Sequence, residues 1–241
     1  MNVVYLILSA FLPIVILSSC STVKIEQKPL PPLSKKEIQL LHLMGGKVIS
    51  NDKIGIGKII IDRRTKAVSF PATVELTEGA LEVLISTPKG RAYESLLVAD
   101  INPYNLQLAM HLSGADNGAR FNIVPPSGKK TVEQGDLFKI FIKTKDGKSI
   151  PVTDWLKVSR ATKNFDNNTW VFVGSSFNSR KECMATKDGN IVTTWSFGNT
   201  ILDNPNLTGN TDDCFTVFKE KVPKTKTPVT VILKKIINNH K

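Results

Sequence analysis

From residue 54 onward short apolar runs, several of them alternating with polar residues at a period of two, recur between turn-forming residues, and the signals are mostly those of strands. The run IGIGKIIIDRRTKAVSFPATVEL predicts two or three strands around a polar turn at Arg63 to Lys66. LEVLIS from Leu81 and ESLLVAD from Glu94 extend the set through a turn at Thr87, Pro88, Lys89 and Gly90. LFKIFIK at 137–143 turns through Lys145, Asp146 and Gly147 into SIPV, and MATKDGNIVTTW from Met184 reads as a second hairpin turning at Asp188 and Gly189. TWVFVGS from Thr169 and TPVTVIL at 227–233 bring the count to roughly ten strands.

Helical signals are few. Asn102 suits a cap, Pro103 the first helical position and Gly114 the stop, so a helix is expected over about 102–113. Leu106, Ala109 and Met110 share its apolar face, with Gln107 and His111 on the other. A shorter helix is expected near 35–44, with Ile38, Leu41 and Met44 at three-residue spacing before Gly45 and Gly46. The expected class is therefore α+β, predominantly antiparallel β, without repeating βαβ units.

The N-terminus is different in kind. Val3 to Leu17 is uncharged and apolar, too short for a comfortable span of roughly twenty residues but of signal-peptide length. Leu17, Ser18, Ser19 and Cys20 resemble the bacterial lipoprotein box. That resemblance implies cleavage before Cys20 and acylation of its sulfur and amino group, which makes Cys20 a lipid attachment point. An uncleaved anchor from Val3 to Ser19 is the alternative. Residues 21–36 hold three prolines and no apolar period, and read as a stiff, solvated tether. The expected organisation is a leader at 1–19, a lipidated tether at 20–36 and one domain at 37–241. Ser21, rather than an aspartate, favours an outer membrane with the domain facing the periplasm.

Charge then changes the picture of partners. The net charge is +11, and no lysine or arginine precedes Cys20, so the whole excess sits on the exported part. Export argues against nucleic acid and towards anionic lipid, an anionic envelope polymer or a partner protein. Between residues 219 and 241 seven lysines face one glutamate, which reads either as a basic attractor for anionic surfaces or as a solubilising, frayed end. With Cys20 acylated, Cys183 and Cys214 remain, either bridged in an oxidising compartment or free and buried.

Residues 70–118, FPATVELTEGALEVLISTPKGRAYESLLVADINPYNLQLAMHLSGADNG, resemble the YdjY-like domain of bacterial envelope proteins. WVFVGS at 170–175, KDGNI at 187–191, ILDNP at 201–205 and TPVTVIL at 227–233 extend the resemblance over most of 54–235. It implies an architecture and an envelope setting without a reaction. Where that family commonly has histidine before the glutamate–serine pair, this chain has Tyr93 before Glu94 and Ser95. Some of its members are rich in cysteine; two thiols here do not make the four ligands of an iron–sulfur cluster.

Candidate chemistry gathers at one turn. Lys89, Arg91, Glu94 and Ser95, with Thr87, form a possible ligand rim, in which Glu94 anchors a ligand and the cations add positive charge. The plainer alternative pairs Glu94 with Arg91 or Lys89 as a turn cap. A hydrolase using Glu94 and Ser95 needs a base and an orienting group, and His42, His111 and His240 are remote in sequence. No histidine pair or cysteine couplet suggests zinc, and IGIGK lacks the rest of a phosphate loop, so no metal or cofactor is expected. Trp155, Trp170 and Trp195 are assigned to the core or its edges. The expected function is a lipid-anchored, non-enzymatic binding or scaffolding module, with an enzyme as the alternative and a redox protein as the weakest reading.

Overall fold

The computed structural model describes residues 29–118, 135–158, 169–195, 199–204 and 215–237. The apolar leader, Cys20, most of the tether, Cys214 and His240 lie outside the described residues. The chain opens with α1 (Lys35–Leu43), β1 (Gly46–Ser50), β2 (Lys53–Ile56), β3 (Ile59–Asp62) and β4 (Val68–Val74). Then come β5 (Ala80–Leu81), β6 (Val83–Ser86), β7 (Ser95–Val98) and α2 (Pro103–Leu112). β8 (Leu137–Lys143), β9 (Ser149–Pro151), β10 (Leu156–Val158) and β11 (Trp170–Phe172) follow. The described chain finishes with α3 (Met184–Asp188), β12 (Asn190–Thr193), β13 (Leu202–Asp203), β14 (Phe215–Val217) and β15 (Pro228–Lys235).

Eight of these strands close on themselves in the order β4, β15, β8, β11, β13, β12, β6, β7 and back to β4. The closing pair is β4 with β7, Thr73 opposite Val98 and Val74 opposite Leu97. Two pairs in the ring, β6 with β7 and β12 with β13, are parallel; the others are antiparallel. Alternation fills the interior: Val68, Phe70, Ala72 and Val74 of β4, Phe138, Ile140 and Ile142 of β8, and Val229, Val231 and Leu233 of β15 are all buried. β1, β2 and β3 extend from the free part of the β4 edge, and β9 pairs with β8. A small sheet, β10–β14–β5, adds Leu81 and Phe215 to the same core.

The α+β expectation is overturned. Strands take 38% of the structure against 18% helical, and the three helices are short pieces around a barrel. An open sheet with one apolar face needs a helical layer to cover it; a sheet closed through β4 and β7 covers that face with its own side chains. The helices do form at Pro103–Leu112 and Lys35–Leu43. The second hairpin expected from Met184 is not made. MATKD winds into α3, ended by Gly189 at φ +75°, because a left-handed glycine closes a helix as readily as it turns a hairpin. Gln107, expected on the polar side of α2, is buried and accepts a 2.8 Å hydrogen bond from the Ser175 amide. The frayed basic end is corrected too, since β15 is a barrel strand between β4 and β8. Its approach and length engage Lys219 with Glu78, Lys226 with Glu75 and Lys235 with Asp136.

α2 packs against β2, β3 and α3. Its first turn is held by the Asn102 side chain, which accepts from the Tyr104 amide at 2.9 Å, while Pro103 supplies a preset φ. Leu106, Ala109 and Met110 are fully buried beneath it. This helix therefore carries a fixed N-terminus to the edge of the core.

Candidate functional site

Two turns meet the start of α2 and form a cleft of about 460 Å³. Gly57 and Lys58 come from the β2–β3 turn, Thr87, Pro88 and Lys89 from the segment after β6, and Asn102 and Asn105 from α2, with Thr186 of α3 on the far wall. The Lys58 ammonium bonds the Asp100 carboxylate at the rim and holds that acid below its usual range. The Thr186 hydroxyl donates to Asn102 Oδ1 at 3.1 Å and accepts from the Tyr104 amide at 3.2 Å, which ties α3 to the α2 cap.

The turn carrying Lys89 is fixed from behind. Thr87 donates its amide to the Gly189 carbonyl at 2.7 Å, and Gly90 donates to the Thr87 carbonyl at 3.0 Å. Gly90 and Gly189 lie back to back, so close that neither backbone leaves room for a Cβ.

A second hollow of about 490 Å³ adjoins the cleft and shares Asn102 and Thr186 with it. Its wall is an aromatic pair, Tyr104 and Phe177, edge to face with centroids 5.9 Å apart. Phe177 is 50% exposed and Tyr104 39%, which is unusual for rings already in contact with each other. Lys181, Glu182 and Lys187 edge this ledge. The Phe177 loop is held by Asn178, whose Oδ1 accepts the Arg180 and Glu182 amides and whose Nδ2 donates to the Glu182 carboxylate.

The structure separates the residues that the sequence grouped as one rim. Lys89 and Thr87 line the cleft. Arg91, Glu94 and Ser95 instead form a self-contained turn: the Arg91 guanidinium bonds Glu82 and lies 3.5 Å from Glu94. Ser95 is fully buried, and its hydroxyl donates to the Arg91 carbonyl at 2.6 Å. A serine so committed is not presented to a substrate, and Glu94 is part of a turn-capping ion pair. Tyr93, at the family's histidine position, is 71% exposed on the same turn. Cys183 is buried under the ledge, its thiol free among the described residues; Cys214, the other half of the expected pair, lies outside them.

Among the described residues no group of three or more His, Cys, Asp or Glu side chains could hold a metal. His111 is exposed on α2, its ring 5.1 Å from that of Phe172. Trp155 and Trp170 are core residues, the latter donating its indole N–H to the Thr193 carbonyl at 3.3 Å. Tyr104, Phe177, Lys58 and Asn105 were missed by sequence reasoning. The one available signal was Phe177 itself, an isolated aromatic in the polar run SSFNSRKE, where no period demands burial.

Residues 59–234 match the family model described as the YdjY domain. No curated protein and no solved structure matches the chain.

Proposed function

The chain belongs to the YdjY domain family, and on that premise we propose that it is a lipid-anchored envelope protein whose barrel binds an anionic cell-wall polymer and catalyses nothing. Cys20 is the attachment point in this reading, residues 1–19 are the leader, and the segment that follows is the tether. The observation that carries the binding half is the continuous cleft and ledge: an exposed aromatic pair, amide and hydroxyl side chains, and lysines along one border. Such a surface suits a sugar ring stacked on Tyr104 and Phe177 with acidic groups near Lys89 and Lys181. Among the described residues this surface offers no aligned nucleophile and base, and Ser95 is turned into the core.

Cosedimentation of the mature protein with purified cell wall tests the reading. Wild type is expected to pellet with the wall. Tyr104→Ala combined with Phe177→Ala is expected to weaken binding about tenfold, the effect of losing roughly 1.4 kcal/mol at a binding hot spot. Equal pelleting of the two proteins, with circular dichroism showing both folded, would remove this surface from the function.

A further inference from the structure

A cluster of basic residues lies at one pole, the end of the barrel where residues 30–31 join it. The Arg63 guanidinium donates to the Pro31 carbonyl at 3.1 Å, and Asn51 Nδ2 donates to the Leu30 carbonyl at 2.7 Å, so residues 30–31 are held against the β1–β2 and β3–β4 turns. The β3–β4 turn adds Lys66, exposed and left-handed at φ +58°. Strand register brings two more lysines to this end: Val68 of β4 lies opposite Leu233, Leu233 opposite Ile140, and the next pair outward is Lys234 opposite Lys139. Lys35 and Lys36, expected at the end of the tether, instead open α1.

Like charges placed directly across two strands weaken a sheet, and neither Lys139 nor Lys234 has an acidic partner among the described residues; Lys234 only overlies the Phe141 ring at 4.9 Å. The acids at this pole are otherwise engaged. Glu37 accepts from Ser34 in a capping box, Asp62 accepts the Arg64 and Thr65 amides, Asp52 pairs with Arg64, and Asp136 with Lys235. Beside Arg63 and Lys66 lies a groove of about 260 Å³, bordered by Leu40, 48% exposed, and Leu112, 37% exposed. Ile237, two residues past β15, is 79% exposed.

We propose that this pole rests on an anionic bilayer, its lysines and arginines against lipid phosphates and its exposed leucines at the headgroup boundary. The proposal rests on the anchoring reading above. Nine residues from Cys20 to Pro29 reach at most about 30 Å, so an acylated Cys20 keeps this pole, rather than any other, close to the membrane. The cleft sits at the opposite end of α2, whose ten residues span about 15 Å, and so stays open to the envelope space.

Lysine footprinting tests it. The lipidated protein is reconstituted in vesicles of phosphatidylcholine alone or mixed with phosphatidylglycerol, treated with an amine-acetylating reagent, and read by mass spectrometry. Lys66, Lys139 and Lys234 are expected to react several-fold more slowly on the anionic vesicles, while Lys89 and Lys181 react equally on both. About 1 M salt, where the screening length is about 3 Å, is expected to abolish the difference. Each basic residue near an anionic surface shifts the equilibrium about fivefold, so Lys139→Gln with Lys234→Gln shifts it about thirtyfold and restores labelling of Lys66. That double variant also loses a like-charge pair, so its melting temperature is expected to match or exceed that of wild type, which excludes misfolding as the cause. Equal labelling on both vesicles, or the same protection in detergent, overturns the proposal while the anchor stands. A Cys20 found unmodified by mass spectrometry overturns the anchor, and the orientation with it.

Discussion

Replacing Gly90 by alanine tests whether the back-to-back glycine contact holds the cleft together. A methyl group at Gly90 would lie 2.4 Å from the Gly189 carbonyl oxygen and 2.7 Å from its carbon. Both obstacles are backbone, so no rotamer relieves them. Relief requires the turn to move about an ångström away from the α3–β12 junction, and that breaks the 2.7 Å bond from the Thr87 amide to the same carbonyl. Overpacking costs about 1–3 kcal/mol, and an unsatisfied buried amide costs about 1–3 kcal/mol. The two overlap, because the shift that relieves one creates the other, and a total of about 3 kcal/mol is expected. In a domain of this size that lowers the melting temperature by about 6–12 °C. Gly147→Ala is the comparator: its φ is +87° with open space around it, so only the backbone penalty of about 1 kcal/mol applies. Thermal unfolding followed by circular dichroism measures both. A Gly90→Ala protein melting within about 1 °C of wild type, or no less stable than Gly147→Ala, would refute the reasoning. Because the displaced turn carries Lys89, cell-wall binding is expected to weaken in the same variant.

Three further outcomes are expected. Asp203 is fully buried and accepts a 2.6 Å bond from the Thr193 hydroxyl, with Thr200 a second donor, so Thr193→Val should cost about 1.5–3 kcal/mol in urea unfolding; an unchanged midpoint would contradict this. For Asp62, burial pushes the carboxyl up, but the Thr65 amide and hydroxyl, the Arg64 amide and the Lys53 charge together hold it below 3.8. Its contribution is therefore complete above that value and lost as the pH falls through the lower folded value; Asp62→Asn should flatten this part of the acid stability profile, and identical profiles would count against it. Cys183 is a free thiol, so reductant should leave the melting temperature unchanged, and a fall of several degrees would reveal a bridge.

The strands were legible because alternation is local: a residue on β4, β8 or β15 shows its face through its own neighbours in sequence. Closure was not legible. The pairing of β4 with β7 uses two residue pairs about twenty-five positions apart, and no period in either strand announces it. β6 and β12 are buried along their whole length, and such unbroken runs carry no facing information at all. β1 was missed because GKVIS is short and mostly exposed, a strand made by pairing with β2 rather than by burial. At the site, the turn from Thr87 to Ser95 stood out as polar and dense, but sequence distance could not tell outward from inward. Ser95 and Lys89 are six positions apart, one sealed in the core and the other on the cleft.

The same closure explains why the chemistry divides between two ends of α2. A barrel wall offers ligands mostly alternating side chains over a convex surface, whereas concavity arises where turns and a helix terminus leave the wall together. β4 shares one edge between β3 and β7, the lower half with one and the upper half with the other, and the strands diverge from that point. α2 packs on β2 and β3 beside that divergence, so its N-terminus meets the turns after β2 and β6, while its C-terminus meets the β3–β4 turn beside the tether. One short helix thereby sets the cleft and the groove beside Arg63 and Lys66 at opposite ends of its own length. In the anchored reading proposed above, that separation lets the basic turn face the membrane while the cleft stays open at the other end of the helix.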